Sequence, residues 1–243
     1  MIESLLLTAT PIFTFYGQQR LTNASGFFFQ RGERLFLVTS RHVLCDEDSR
    51  HFPDRIEIEL HTNADNIAES TGFSMPLYRD GRSVWRQGID TAGKIDVAVL
   101  EIERAALPAD TVYRAFTPQN LAEGYDQVEL GAALLVVGFP FGFHDSLHHL
   151  PVARQAIVAS SFGLRFQGEG YFLTDARTHR GTSGAAVVMR LADEPTTGMA
   201  LPWVLLGIHS ARLDIVARDL NVDEALGLNC AWYADILLAL TER

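Results

Sequence analysis

Short β-like runs separated by turns bearing glycine and proline fill this chain, and helical periodicity shows clearly only at its end. Pro11–Tyr16, Gly26–Gln30, Leu35–Thr39 and Ile56–Leu60 are rich in β-branched or aromatic residues, or alternate in polarity. Phe27-Phe28-Phe29 and Leu35-Phe36-Leu37-Val38 flank Arg31-Gly32-Glu33-Arg34, which reads as a hairpin with a glycine in its turn. Thr62 to Lys94 is expected to be mostly loop, with one short strand near Phe73–Leu77. Ile95–Ile102 is a strand pattern, and Arg104–Gln127, with two prolines and no period, reads as a linker. The second half repeats the style over Ala132–Val137, Val152–Ser161, Gly170–Asp175, Ala185–Met189 and Trp203–Ser210. Ala231, Ile236, Leu237 and Leu240 suit a closing helix. Such a pattern implies an all-β barrel or sandwich, duplicated in style but without a repeat in sequence.

A chain of 243 residues is long enough to bury a large core in one domain or two small halves. A net charge of −10 argues against nucleic acid as the main partner, since phosphate is met by basic surface. No apolar run reaches the length of a membrane span. Met1 to Leu7 holds an acid and no basic stretch, so it is not read as a signal peptide. Only Cys45 and Cys230 are cysteines, which leans towards a reducing compartment. The expectation is a cytoplasmic protein with no membrane partner.

Chemistry gathers around Thr178-His179-Arg180-Gly181-Thr182-Ser183-Gly184-Ala185-Ala186. A serine held between glycines at a tight turn presents its hydroxyl at a surface beside backbone N–H groups, as a nucleophile requires. The hydroxyl needs a base, and the base needs a carboxylate to fix its tautomer. Of eight histidines, His51, His61, His144, His148 and His149 lie in polar stretches and are read as solvated. His42 instead follows the apolar strand Leu37-Val38-Thr39-Ser40. Asp96 is set within Ile95-Asp96-Val97-Ala98-Val99, where a buried charge costs several kcal/mol unless paired. Lys94 is the only lysine, and beside Asp96 on one strand entrance it is a poor base for a Ser–Lys pair.

The order His42, Asp96, Ser183 is that of chymotrypsin, and the chain resembles the trypsin-like serine peptidases, in particular their bacterial single-domain and HtrA-like branch. Ser25-Gly26-Phe27-Phe28 with Leu37-Val38-Thr39-Ser40-Arg41-His42-Val43 looks like the family's strand pair before its catalytic histidine. Ile95-Asp96-Val97-Ala98-Val99-Leu100, Val137-Gly138-Phe139-Pro140-Phe141-Gly142, Gly181-Thr182-Ser183-Gly184 and Val204–Ser210 match later motifs in the family's order. The resemblance implies a chymotrypsin-like double six-stranded β-barrel with a C-terminal helix. Residues 1–110 would form the first barrel, carrying His42 and Asp96; residues 111–243 would form the second, with the nucleophile and the pocket. It implies serine endopeptidase activity through an acyl-enzyme, with no cofactor, and an oxyanion hole from the N–H groups of Gly181 and Ser183. Thr182 stands where digestive relatives carry an aspartate that pairs with a newly cut N-terminus, so that activation step is not expected. The family's disulfides are missing too, and Cys45 and Cys230 are read as buried thiols.

By the same resemblance Thr178, His209 and Ser210 line the primary specificity pocket, and Asn229 closes it. A Thr with a His looks like glutamyl endopeptidases and the Gln/Glu-cleaving viral proteases, so cleavage after Glu, Gln or Asp is expected. Hydroxyl and imidazole donors would meet a carboxylate or amide and reject apolar side chains. Arg177 and Arg180 flank the turn and are read as solvated. His144-Asp145-Ser146-Leu147-His148-His149 has residues that ligate zinc, but without a second cluster no metal is expected. Partners are a protein or peptide substrate, with a regulatory protein left open. The competing reading is a catalytically weak trypsin-like domain acting as a peptide-binding module or a partner-activated effector. Two long loops, Thr62–Lys94 and Arg212–Leu226, are expected to border the cleft.

Overall fold

The hairpin expected around Gly32 is the centre of the first half of the computed structural model, which describes residues 2–191, 201–214 and 225–242. In chain order this half holds β1 (Ala9–Tyr16), β2 (Gln19–Arg31), β3 (Arg34–Thr39), the single turn α1 (Arg41–Leu44), β4 (Arg55–His61), β5 (Ser70–Pro76), β6 (Tyr78–Arg79), β7 (Arg82–Ser83), β8 (Trp85–Asp90) and β9 (Gly93–Ile102). The second half holds β10 (Ala133–Gly138), β11 (Val152–Val158), β12 (Tyr171–Ala176), β13 (Ala186–Arg190), β14 (Trp203–Asp214), β15 (Ala225–Tyr233) and α2 (Ile236–Leu240). The second half closes as a six-stranded barrel, β10-β11-β12-β15-β14-β13. The first is a seven-stranded antiparallel sheet in the order β5-β4-β1-β2-β3-β9-β8, and β6 and β7 form a separate pair.

Side chains on a strand alternate between faces, and here the alternation sorts apolar residues into three cores. Phe28, Leu35, Leu37, Ala98, Leu100 and Ile102 fill the interior of the first half. Their neighbours Phe27, Phe29, Phe36, Val38, Val97 and Val99 turn the other way and pack with Val137, Phe139, Ala186, Val188 and Ile208 of the second half. Leu134, Val136, Val187 and Phe172 fill the closed barrel. Strands β2, β3 and β9 are therefore apolar on both faces, which explains their unbroken hydrophobic runs. Fully burying one such phenylalanine contributes roughly 1.5–3 kcal/mol.

The stretch read as a linker is packed against both halves. Phe116 is fully buried, and its carbonyl accepts from Gln30 while its N–H donates to Phe28. Leu121 bridges to Leu205 of β14. Farther on, α2 packs on β8 and β9, and arginines of the first half hold carbonyls within it and just after it. Arg31 donates to Leu238, Arg34 to Thr241 at 3.3 Å, and Arg86 to Glu242 at 2.6 Å.

Several expectations change. Most of Thr62–Lys94 is strand rather than loop, because β5 and β8 lie at sheet edges and stay largely exposed. Edge strands of this kind lack the apolar alternation by which strands are read. The closing helix is only five residues long, and Ala231 belongs to β15. Strand β11 ends at Val158, short of Ser161. Of the loop expected over Arg212–Leu226, Arg212–Asp214 extends β14, Ala225 and Leu226 begin β15, and 215–224 lie outside the described residues. Cys230 is buried but Cys45 is only partly so, and both thiols are free. His61 is buried rather than solvated, with its Nδ1–H donating to the Ile67 carbonyl at 3.1 Å.

Candidate active site

Strand β3 pairs with β9 up to Thr39 opposite Ala98. Beyond it the chain leaves the sheet and winds into α1, which sets His42 over Asp96, two residues back along β9. His42 Nδ1 lies 2.7 Å from Asp96 Oδ2, and the His42 backbone N–H donates to Oδ1 at 2.8 Å. A carboxylate only accepts, so Nδ1 carries the ring proton and Nε2 is left as acceptor. Nε2 stands 2.9 Å from Ser183 Oγ. Ser210 Oγ–H completes the shell of Asp96 with a short bond to Oδ2.

The turn that carries Ser183 is fixed from three sides. Thr182 N–H donates to His179 at 3.1 Å and Ala185 N–H to Thr182 at 2.9 Å, which closes the turn on itself. Gly184 N–H donates to the His209 carbonyl at 2.8 Å, and the Ser183 carbonyl accepts from Ser25 N–H at 2.9 Å. Glycine is required at two places. Gly181 has φ +89°, and a Cβ there would lie 2.7 Å from the Phe139 carbonyl oxygen; Gly184 has φ +85°, and a Cβ would run into Ser25 and Thr39. Among the described residues, no acceptor takes the N–H of Gly181 or Ser183. The Arg180 carbonyl is turned onto the Phe141 N–H, so in the trans peptide the Gly181 N–H points the opposite way.

Charge in this cluster is balanced by its partners. Burial alone would lower the His42 pKa, but the hydrogen bond and charge of Asp96 outweigh it and hold the ring above its ordinary value. Burial would raise the Asp96 carboxyl; bonds from the His42 ring, Ser210 and the His42 N–H, with the His42 charge, keep it below the usual range. Chemically, a neutral Nε2 facing a hydroxyl can take its proton, and the imidazolium so formed sits against an ionised carboxylate. The Ser183 hydroxyl has a second acceptor, the Ser210 carbonyl at 3.0 Å.

Thr178, His209 and Asn229, expected around the pocket, are all buried. Thr178 donates its hydroxyl proton to Asn229 Oδ1, and Asn229 Nδ2 donates to the Ala176 carbonyl at 2.8 Å. Thr178 therefore offers lone pairs rather than a free donor. Among the described residues His209 Nδ1 has no hydrogen-bond partner, and burial, with the nearby His42 charge, pushes its pKa down to about 4. Arg177 and Arg180 are exposed. Lys94 pairs with Glu47 at 3.1 Å. His148 Nδ1 bonds Asp145 at 2.7 Å and His144 Nδ1 the Gly142 carbonyl at 2.6 Å; among the described residues no three ligand side chains gather to hold a metal.

Two participants escaped the reading of the sequence. Ser25 donates its hydroxyl to the Gly181 carbonyl at 2.7 Å and accepts from Phe139 N–H at 2.9 Å, tying the nucleophile turn to the turn after β10. Ser40 Oγ–H donates to the His209 carbonyl at 3.1 Å. All three bonds link residues distant in sequence, and a lone serine beside an apolar run carries no local signal.

A family model described as trypsin-like peptidase domain matches residues 24–192. No curated protein matches the sequence. Among solved structures, the chain is similar to the HtrA-type protease AlgW with tripeptide, at 18% identity and a TM-score of 0.56, over 96% of this chain and 58% of that one. It is also similar to the Rv3671c protease from M. tuberculosis, active form, at 14% identity and a TM-score of 0.51, over 97% of this chain and 79% of that one. At such identities the likeness is one of fold, and the chain spans less than two thirds of the AlgW length. Among the described residues no helix is long and apolar enough to cross a membrane.

Proposed function

The chain belongs to the trypsin-like peptidase domain family, and we propose that it is a serine endopeptidase working through an acyl-enzyme. The observation that carries this reading is the continuous line Asp96–His42–Ser183, with separations of 2.7 and 2.9 Å. In it Ser183 attacks the scissile carbonyl, His42 takes the hydroxyl proton and returns it to the leaving amine, and Asp96 orients His42 and stabilises the imidazolium. The N–H groups of Gly181 and Ser183 receive the oxyanion; each such donor contributes about 3–4 kcal/mol to the transition state. Residues 1–110 and 111–243 act together as one peptidase domain. Two free thiols favour a reducing, cytoplasmic setting.

For the substrate, Thr178, His209 and Ser210 on the second barrel support cleavage after Gln, Glu or Asp. With His209 neutral above pH 4 and the Thr178 proton given to Asn229, this wall is polar but uncharged near pH 7. An uncharged wall favours the amide of Gln over a carboxylate, which would be buried without a cation. An armed nucleophile speaks against a binding-only module. Ser183→Ala should lose fluorophosphonate labelling and peptide hydrolysis, by at least about 10⁴-fold in kcat; a variant that still hydrolyses peptides overturns the assignment. Peptide-library profiling that shows arginine, lysine or aromatic residues before the cut overturns the specificity.

A further inference from the structure

His42 and Ser183 open into a cleft of about 360 Å³ whose walls are the stretch Leu21–Ala24 of β2, the segment running from Val43 to His51, and Arg180. None of Thr178, His209 and Asn229 lines it. In an acyl transfer His42 hands its proton to the departing amine, so the departing segment must lie on the His42 side of Ser183. This cleft is therefore the place for the part of the peptide after the cut.

Asp46 and Arg180 face the cleft with opposite charges, and among the described residues neither belongs to an ion pair. That is unusual for the neighbourhood, since Arg41 and Lys94 both pair with Glu47. Among the described residues, Asp46 has only the hydroxyl of Ser49 as side-chain partner. The Arg180 guanidinium is exposed, its carbonyl alone being tied down by Phe141. One part of the cleft thus offers an unneutralised carboxylate, and another offers an exposed guanidinium.

We propose that this cleft selects a departing segment that carries both a basic side chain, met by Asp46, and an acidic side chain, met by Arg180. The inference rests on the peptidase reading for its orientation and adds to it the charge pattern of the substrate after the cut. Pairs at a solvent-open cleft are weak, so each contributes about three- to five-fold in kcat/KM at low salt.

The test uses four peptides that share one acyl side and differ after the cut: basic plus acidic, basic only, acidic only, and neutral. Wild-type protein should cut the doubly charged peptide roughly ten-fold faster than the neutral one. Asp46→Asn should erase the preference for the basic side chain and keep that for the acidic one; Arg180→Gln should do the reverse. Equal rates on all four peptides overturn the proposal, as does a substitution that erases both preferences together. Fluorescence anisotropy of the same peptides on Ser183→Ala protein separates the two readings. Crosswise, charge-dependent binding with no hydrolysis by wild type keeps the cleft and removes the peptidase; hydrolysis blind to charge after the cut removes the cleft and keeps the peptidase.

Discussion

His42 and His209 stand on opposite walls around Ser183, and the structure holds the same side chain in two contrary states. His42 is 35% exposed at its side chain and leans on an ionised carboxylate, which keeps its pKa above the ordinary value. His209 is 2% exposed, has no carboxylate partner among the described residues, and is pushed down to about 4. Burial disfavours the charged ring at both places; what differs is the opposite charge within reach. The two rings thus separate a group that can take a proton from one that stays neutral near pH 7. A base that must become imidazolium needs a standing anion, and a buried ring with no anion within reach stays neutral.

The largest expected effect comes from making His42 resemble His209. Asp96→Asn keeps the shape and removes the anion, and it leaves an amide that cannot fix the ring tautomer. The expected loss in kcat is about 10³–10⁴-fold. The pH profile should move as well. Activity needs neutral His42, so wild-type kcat/KM rises with pH through a His42 pKa held above the ordinary value. In Asp96→Asn the hydrogen bond and charge that chiefly hold the ring up are gone, burial outweighs the lesser pull of the Asp46 carboxylate, and the rising limb shifts to lower pH. A limb that stays in place would show that Asp96 does not set the charge of His42.

A smaller effect comes from the other wall. The folded-state pKa of His209 is depressed to about 4, against about 6.5 for an ordinary imidazole. Between those values the unfolded chain binds a proton that the folded chain refuses, so stability falls as pH drops through this window. The shift corresponds to about 3 kcal/mol over the whole window. His209→Gln removes the titrating group and should flatten the fall, read as the urea midpoint at pH 7 and pH 4.5. An unchanged slope would mean that another buried group governs acid unfolding. His61 is the competitor to check, since burial lowers its pKa too.

Much of this was legible from the residues. The strands of both halves could be read because their apolar residues are continuous or alternate, and His42, Asp96 and Ser183 each interrupt such a run at its end. Three things were not legible, for physical reasons. The exposed edge strands β5 and β8 bury few side chains, so they leave no period. Phe116 looked like part of a linker because its burial depends on a contact with β2, far away in sequence. The state of the Thr178 hydroxyl is set by Asn229, fifty-one positions later, and no spacing rule announces which of two polar groups donates.

The smallest of these changes tests whether Asp96 owes its ionised state to His42 alone. The Ser210 hydroxyl is buried and donates to Asp96 Oδ2, the same oxygen that accepts from His42 Nδ1. Ser210→Ala removes one of three donors and leaves both His42 contacts in place. A hydrogen bond to a charged group contributes about 1.5–3 kcal/mol, and a partly exposed carboxylate recovers some of that from water. The expected outcome is a loss of up to about ten-fold in kcat/KM, far short of the Asp96→Asn effect. Asp96 has a folded pKa below its unfolded value, so it stabilises the fold above the ordinary carboxylate range and loses that contribution as pH falls through the folded value. With one donor gone the folded value rises, and acid unfolding should begin at higher pH than in wild type. If Ser210→Ala instead matched Asp96→Asn in activity, Ser210 rather than the His42 pair would be what holds the carboxylate in its working position, and the contrast between the two walls would dissolve, because Ser210 adjoins His209 on β14 and would belong to both.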